Sequence, residues 1–282
     1  MTSRAPTTPS NDHHLSALPS GASVHKWSSG SPLAIFILQH GFGEYAERYI
    51  SSHSELIRKL NAKRIDVWAM DLWGHGSSPG TRGKVHVGKA VQDHIQLRHQ
   101  AIEQGLPVFL FGLSLGGLVT AGSVTQDSSR VDGIILCSPS LPLPMLGQGA
   151  IGLLARLMPA VEVPKPRTPT DKLFRDAEQI RVAEADEVLF KGRISLLLAA
   201  TALNVGTTVW DEVGQWRAPT LVIHGTSDVA APVETSKKFV EEIVSSEKTL
   251  HLVEGGYHEL LNDLNPDKIV QLILRWLEVH LD

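Results

Sequence analysis

The sequence predicts an α/β protein: one mostly parallel central sheet flanked by helices, with an inserted, mainly helical segment. Three observations carry this reading. Short apolar runs bounded by turn residues recur along the chain, and longer stretches with helical spacing lie between them. From about residue 141 to 209 the alternation stops, leaving helical patterns among Pro-rich linkers. Strands that alternate with helices are joined by crossovers, which make the pairing parallel and cover both faces of the sheet.

Taken in order, the first twenty residues, MTSRAPTTPSNDHHLSALPS, hold Pro, Ser and Thr but no apolar block. They read as a flexible N-terminal tail lacking the core of a signal peptide, with the folded domain running over 21–282. Ser23 to Trp27, followed by SSGSP, reads as one arm of an antiparallel edge hairpin. The buried strands are then Leu33–Leu38, Ile65–Met70, Val108–Phe111, Gly133–Cys137, Thr220–Ile223 and Thr249–Val253. Helical spacing covers Ser51–Leu60, Val91–Glu103, Val233–Val244 and Asp267–Leu277. Cys137 is the only cysteine, so no intramolecular disulfide forms, and its apolar neighbours make it a buried strand thiol. In the insertion, GAIGLLARLMPAV is apolar nearly all round with Arg156 its lone charge. An ordinary amphipathic helix does not explain it; the segment packs over the core, faces substrate or faces lipid.

With 42% hydrophobic and 20% charged residues the chain can bury a full core. A net charge of -4 and the lack of a Lys/Arg run argue against nucleic acid as a partner. No window approaches eighteen apolar residues, so no spanning helix is expected; a cytoplasmic location follows, with attachment to lipid surfaces left open. The thirteen histidines show no HExxH and no helical pair joined to a carboxylate, and Walker and GxGxxG patterns are absent, so neither a catalytic metal nor a nucleotide is expected.

GLSLG, Gly112 to Gly116, fits the GxSxG elbow, in which small residues permit a strained strand-to-helix turn that exposes the serine. GSSPG, centred on Ser78, is a second literal match. Context separates them: PVFLFG precedes Ser114 and LGGLVTAGSVT follows it, whereas Pro79 disfavours a helix after Ser78. Ser114 is therefore the candidate nucleophile. A serine hydroxyl needs a base, and the base needs an acid to orient it, in the chain order Ser, acid, His. That order removes His40 and His75. His224 precedes the candidate acid, His251 lies within a strand and His280 ends the last helix. His258, in the loop GGYHELL, and Asp228, in LVIHGTSD, remain as base and acid. Two backbone amides suit a developing oxyanion: that of Leu115, directly after the serine, and that of Phe42 in the Gly-rich loop HGFG.

HGFGEYAERY, DLWGHGSS, GLSLGG, HGTSDVAAP and GGYHELLND, in this order, resemble the monoacylglycerol lipase group of the α/β-hydrolase superfamily, also grouped with serine aminopeptidase-like hydrolases. The resemblance runs from about residue 35 to the C-terminus, with a trace of the family's cap pattern in FRDAEQIRVAEADEVLFKGRIS. It implies the α/β-hydrolase fold, a cap over the site that admits a lipid-like acyl chain, hydrolysis of monoacylglycerols or similar lipid monoesters, and no cofactor. Leu115 stands where the family often has methionine, and Glu187 and Val188 where it often has Pro and Leu, which leaves the shape of the acyl pocket open. A carboxylesterase or thioesterase for short or aromatic esters, or an aminopeptidase, shares the scaffold. A non-catalytic ligand-binding protein of this fold is the alternative outside enzymes.

Overall fold

The computed structural model describes residues 12–164 and 167–281. The chain runs β1 (Asp12–Ala17), β2 (Ser23–Ser28), β3 (Ala34–Gln39), α1 (Leu56–Ala62), β4 (Ile65–Met70), α2 (Val87–Ile102), β5 (Val108–Leu113), α3 (Leu115–Gln126) and β6 (Gly133–Cys137). It continues through α4 (Gln148–Leu157), α5 (Ala177–Ala185), α6 (Leu196–Glu212), β7 (Thr220–Gly225), α7 (Val233–Glu242), β8 (Lys248–Val253) and α8 (Pro266–Leu281). The strands form one sheet in the order β1-β2-β4-β3-β5-β6-β7-β8. The β1–β2 and β2–β4 pairs are antiparallel and the remaining pairs are parallel.

Every residue of β3, β5, β6 and β7 is buried, which is why those strands read as continuous apolar runs. One core lies between the sheet and α2, α3, α6 and α7; the other lies between the sheet and α1 and α8. From β3 the chain goes to β4 on one side, and from β5 it goes to β6 on the other. This reversal opens a crevice at the carboxyl ends of β3 and β5, where ligands bind in open α/β sheets.

Three expectations are corrected. The flexible tail expected over residues 1–20 does not hold for Asp12–Ala17, which is a strand registered His13 against Trp27 and Leu15 against His25; residues 1–11 lie outside the described residues. β2 is antiparallel as expected but is not an edge hairpin with the following strand; it lies between β1 and β4, because β1 takes the edge. The helix expected over Ser51–Leu60 begins only at Leu56, since His53, Ser54 and Glu55 all have φ of 53–54°. That left-handed turn is held from afar, by Asn262 Oδ1 accepting the His53 amide and by the His53 ring stacked on Tyr49.

Between β6 and β7 the regular secondary structure of the described residues is helical, apart from one isolated bridge, Glu162 to Ser195, and loops join the helices. α4 lies on α6 and keeps only Ala155 buried, which overturns the core-packing alternative for GAIGLLARLMPAV. Leu153 is 59% exposed, Leu157 71% and Leu146 fully so. Among the described residues no helix is long and apolar enough to cross a membrane.

Candidate active site

The turn from β5 into α3 places Ser114 at φ 55° and ψ −116°, a strained conformation for a residue with a Cβ. The glycines around it are steric necessities. A Cβ on Gly116 would lie 2.1 Å from the Gln39 carbonyl oxygen, and one on Gly112 would lie 2.5 Å from the Gly116 carbonyl. α3 can press against β3 and β5 only because these side chains are missing, and the close approach lifts Ser114 Oγ over the sheet edge.

Ser114 Oγ lies 2.8 Å from His258 Nε2, and His258 Nδ1 lies 2.6 Å from Asp228 Oδ2. His258 comes from the loop after β8 and Asp228 from the loop after β7, so all three side chains meet at the carboxyl edge of the sheet. Asp228 Oδ1 accepts the amides of Ala230 and Ala231 at 2.7 and 3.0 Å. Burial works against charge on Asp228, yet its hydrogen bonds, led by those from His224 and His258, hold its carboxyl well below the usual range. The carboxylate thus stays ionised and fixes a hydrogen on His258 Nδ1. The Nε2 lone pair is left facing the serine, a geometry suited to removing its proton.

Several residues set aside by chain order support this chain of contacts. His224 Nε2 lies 3.0 Å from Asp228 Oδ2, and its Nδ1 lies 2.7 Å from Ser236 Oγ. His40 Nε2 accepts the Leu72 amide and His75 Nε2 accepts the Gly43 amide, both at 3.0 Å, so two buried neutral imidazoles shape the loop that carries Phe42. Burial is the main cause that pushes His75 down to about 4 and also lowers His40. Gly43, at φ 87°, leaves room for Phe190, whose amide donates to the Gly43 carbonyl at 2.9 Å. Ser78 is structural: its hydroxyl donates to the Asp71 carbonyl and accepts the Ser23 amide, joining β2 to the end of β4. The signal for His40, Gly43, His75 and Ser78 lay in the remaining letters of HGFGEYAERY and DLWGHGSS, which partner recognition alone could decode.

A cavity of about 780 Å³ opens over Ser114. Gly41, Phe42, Leu115 and His258 form its floor, and Phe174, Leu189, Ile194, Leu198 and Leu203 bring apolar walls from the β6–β7 insertion. One part is polar, lined by Glu44, Arg48, Arg167 and Glu259. Arg48 is paired with Glu44, and its Nε lies 3.7 Å from Asp186 of the insertion, which also accepts the Tyr45 hydroxyl at 3.0 Å. Burial foremost, with Arg48 opposing and Glu259 reinforcing, pushes Glu44 up to about 7.

A mostly parallel eight-stranded sheet flanked by helices, with a serine elbow at its carboxyl edge, is the α/β-hydrolase fold, and the chain is a serine ester hydrolase. It belongs to the serine aminopeptidase (S33) family, whose pattern matches residues 30–265. It is 26% identical over 260 residues to a monoacylglycerol lipase of Mycolicibacterium smegmatis, covering 89% of this chain and 90% of that one. With the monoglyceride lipase of Homo sapiens it shares 29% identity over 84% of this chain and 78% of that one. The crystal structure of Paleococcus ferrophilus monoacylglycerol lipase superimposes with a TM-score of 0.79 at 28% identity, over 91% of this chain and 99% of that chain.

Proposed function

We propose that the chain hydrolyses monoacylglycerols or closely similar lipid monoesters through an acyl-enzyme, with Ser114 as nucleophile, His258 as base and then acid, and Asp228 as the group orienting His258. His258 takes the hydroxyl proton as Ser114 attacks the ester carbonyl, and the amides of Phe42 and Leu115 hold the oxyanion. The tetrahedral adduct collapses as His258 returns the proton to the departing alcohol; water then enters and the same groups release the fatty acid.

The observation that carries the reading is the two-natured cavity above Ser114, apolar along the insertion and polar beside Glu44 and Arg48. An acyl chain fits the first part and a hydroxylated leaving group the second. Its volume is within the range of about 300–1,000 Å³ in which small ligands are mostly enclosed. The insertion acts as a cap, and its exposed α4 leucines fit peripheral contact with a lipid surface, from which an insoluble substrate can enter. The 26–29% identity to monoacylglycerol and monoglyceride lipases supports the same substrate class.

Initial rates on monoacylglycerols, short p-nitrophenyl esters, an acyl thioester and an aminoacyl amide, each with Ser114→Ala as control, test the reading. A preference in kcat/KM for monoacylglycerols, abolished in Ser114→Ala, is expected. A preference for the thioester or the amide overturns the substrate, and undiminished activity in folded Ser114→Ala overturns the nucleophile.

A further inference from the structure

β1 and β2 bring two imidazoles together outside the lining of the cavity over Ser114. His13 Nε2 lies 2.9 Å from His25 Nδ1, and the planes of the two rings are within 3° of parallel. His25 is buried, and its other nitrogen, Nε2, lies 3.0 Å from Asp71 Oδ2. Asp71 is depressed in pKa: burial opposes its charge, but the hydrogen bond from His25 and the neighbouring His40 favour it more. An ionised carboxylate only accepts, so His25 carries its hydrogen on Nε2 and presents the Nδ1 lone pair outward. The exposed Glu47, on the 3-10 turn Ala46–Ile50, brings a carboxylate oxygen so that the donor atoms of all three residues lie within 4.8 Å of one another.

We infer that His13, His25 and Glu47 form a binding site for a divalent transition-metal ion of the zinc type, held by two imidazole nitrogens and one carboxylate, with solvent completing the shell. The donor set is that of a borderline-soft cation. The pair of contacts His25 Nε2 to Asp71 and His25 Nδ1 to the ion is the arrangement by which an outer carboxylate fixes the tautomer of a metal-binding histidine. A tetrahedral ion about 2.05 Å from each nitrogen sets them about 3.3 Å apart, so the His13 to His25 separation must widen by about 0.4 Å. His13 is exposed on the edge strand, and a small shift of its ring across Trp27 gives that separation. Its hydrogen, now on Nε2 and donated to His25, moves to Nδ1 as the ion takes its place, so the histidine stays neutral and no proton is released to solution.

The ion ties the edge strand to the turn that carries Arg48 into the cavity. Asp71 extends the link inward, because its Oδ1 accepts the Ala46 amide at 2.8 Å. Zinc binding by tag-free, chelator-treated protein, measured by competition with a chromogenic chelator and by thermal midpoint, tests the inference. The expected result is one Zn²⁺ per chain, a midpoint raised by zinc, and affinity at least about tenfold weaker in His13→Ala and in Glu47→Gln; the metal-free midpoint is unchanged in Glu47→Gln and lowered in His13→Ala, which loses the stack on Trp27. Esterase activity of the metal-free variants stays at the native level. The inference is overturned if the native protein binds no stoichiometric zinc at about 100 µM, or if either variant binds it as tightly as the native chain.

Discussion

Replacing Asp228 by asparagine separates chemistry from shape, because the two side chains are isosteric and differ only in what they accept. Asp228 Oδ1 accepts two backbone amides, at 2.7 and 3.0 Å, while Oδ2 lies 2.6 Å from His258 Nδ1 and 3.0 Å from His224 Nε2. In Asp228→Asn the side-chain oxygen stays on the two amides, which leaves the NH₂ group where Oδ2 stood. That group donates, so His258 must accept at Nδ1 and carry its hydrogen on Nε2. A protonated Nε2 at 2.8 Å from Ser114 Oγ can no longer take the serine proton. His224 adapts by the same tautomer change, since its Nδ1 faces the Ser236 hydroxyl, which can donate or accept, and it gives up only the Nε2 contact to the Ala231 carbonyl at 3.1 Å. The fold therefore survives while the base is lost. In serine-protease triads this tautomer error lowers kcat about ten-thousand-fold, or about 5.5 kcal/mol of barrier. Stopped-flow release of p-nitrophenol from a short ester, with the thermal midpoint as a check on folding, measures the effect. A folded Asp228→Asn within tenfold of the native kcat would refute the assignment of His258 as base.

Three further outcomes are expected. In Leu153→Glu/Leu157→Glu, association with lipid vesicles falls while kcat/KM on a soluble ester is retained and stability changes by no more than about 0.5 kcal/mol, because both side chains are largely exposed; vesicle co-sedimentation beside the soluble assay checks it. Gly43→Ala puts a Cβ 2.7 Å from the Phe190 carbonyl oxygen at φ 87°, costing about 1–3 kcal/mol on urea denaturation and, by displacing the Phe42 amide, about a hundredfold in kcat. Unfolding free energy falls on acidification from pH 6.5 to 4.5. His75 and His94 are pushed down to about 4 and about 3, chiefly by burial, so the stability of their neutral forms is present above 6.5 and lost as pH drops toward those values. Glu44, raised to about 7, acts the other way, full below 4.5 and lost as pH rises through 7, so Glu44→Gln steepens the acid loss in urea titrations.

The central strands were legible because each is covered on both faces: a run such as Val108–Phe111 has to be apolar throughout, whatever packs on it. Ser114, Asp228 and His258 were legible as a set because chain order and strand-end position constrain them together, and the structure brings them within hydrogen-bond distance. β1 was not legible. DHHLSA is polar, and it forms a strand because β2 offers it an edge and because His13 stacks against Trp27 with centroids 5.0 Å apart. The left-handed turn at His53–Glu55 contains no glycine to announce it, and the amide that fixes it is held by Asn262, 209 residues away. In α4 the apolar pattern was visible, but a pattern cannot tell what covers it.

The histidines show most clearly where a sequence stops being informative. Chain order excludes His40, His75 and His224 as the base, and the structure places each within hydrogen-bond distance of something that matters: the Leu72 amide, the Gly43 amide and Asp228. A neutral buried imidazole accepts at one nitrogen and donates at the other, so it can fix a backbone amide on one side and draw on a second group on the other. For His40 and His75 under the proposed mechanism, that means holding the loop around Phe42 rigidly enough to present one amide to an oxyanion, a task for which a flexible Gly-rich loop is ill suited by itself. The glycines of HGFG permit the backbone conformation, and the two histidines restrict it. Losing either imidazole should therefore depress kcat through the oxyanion amide, with the Ser114 to His258 contact left in place.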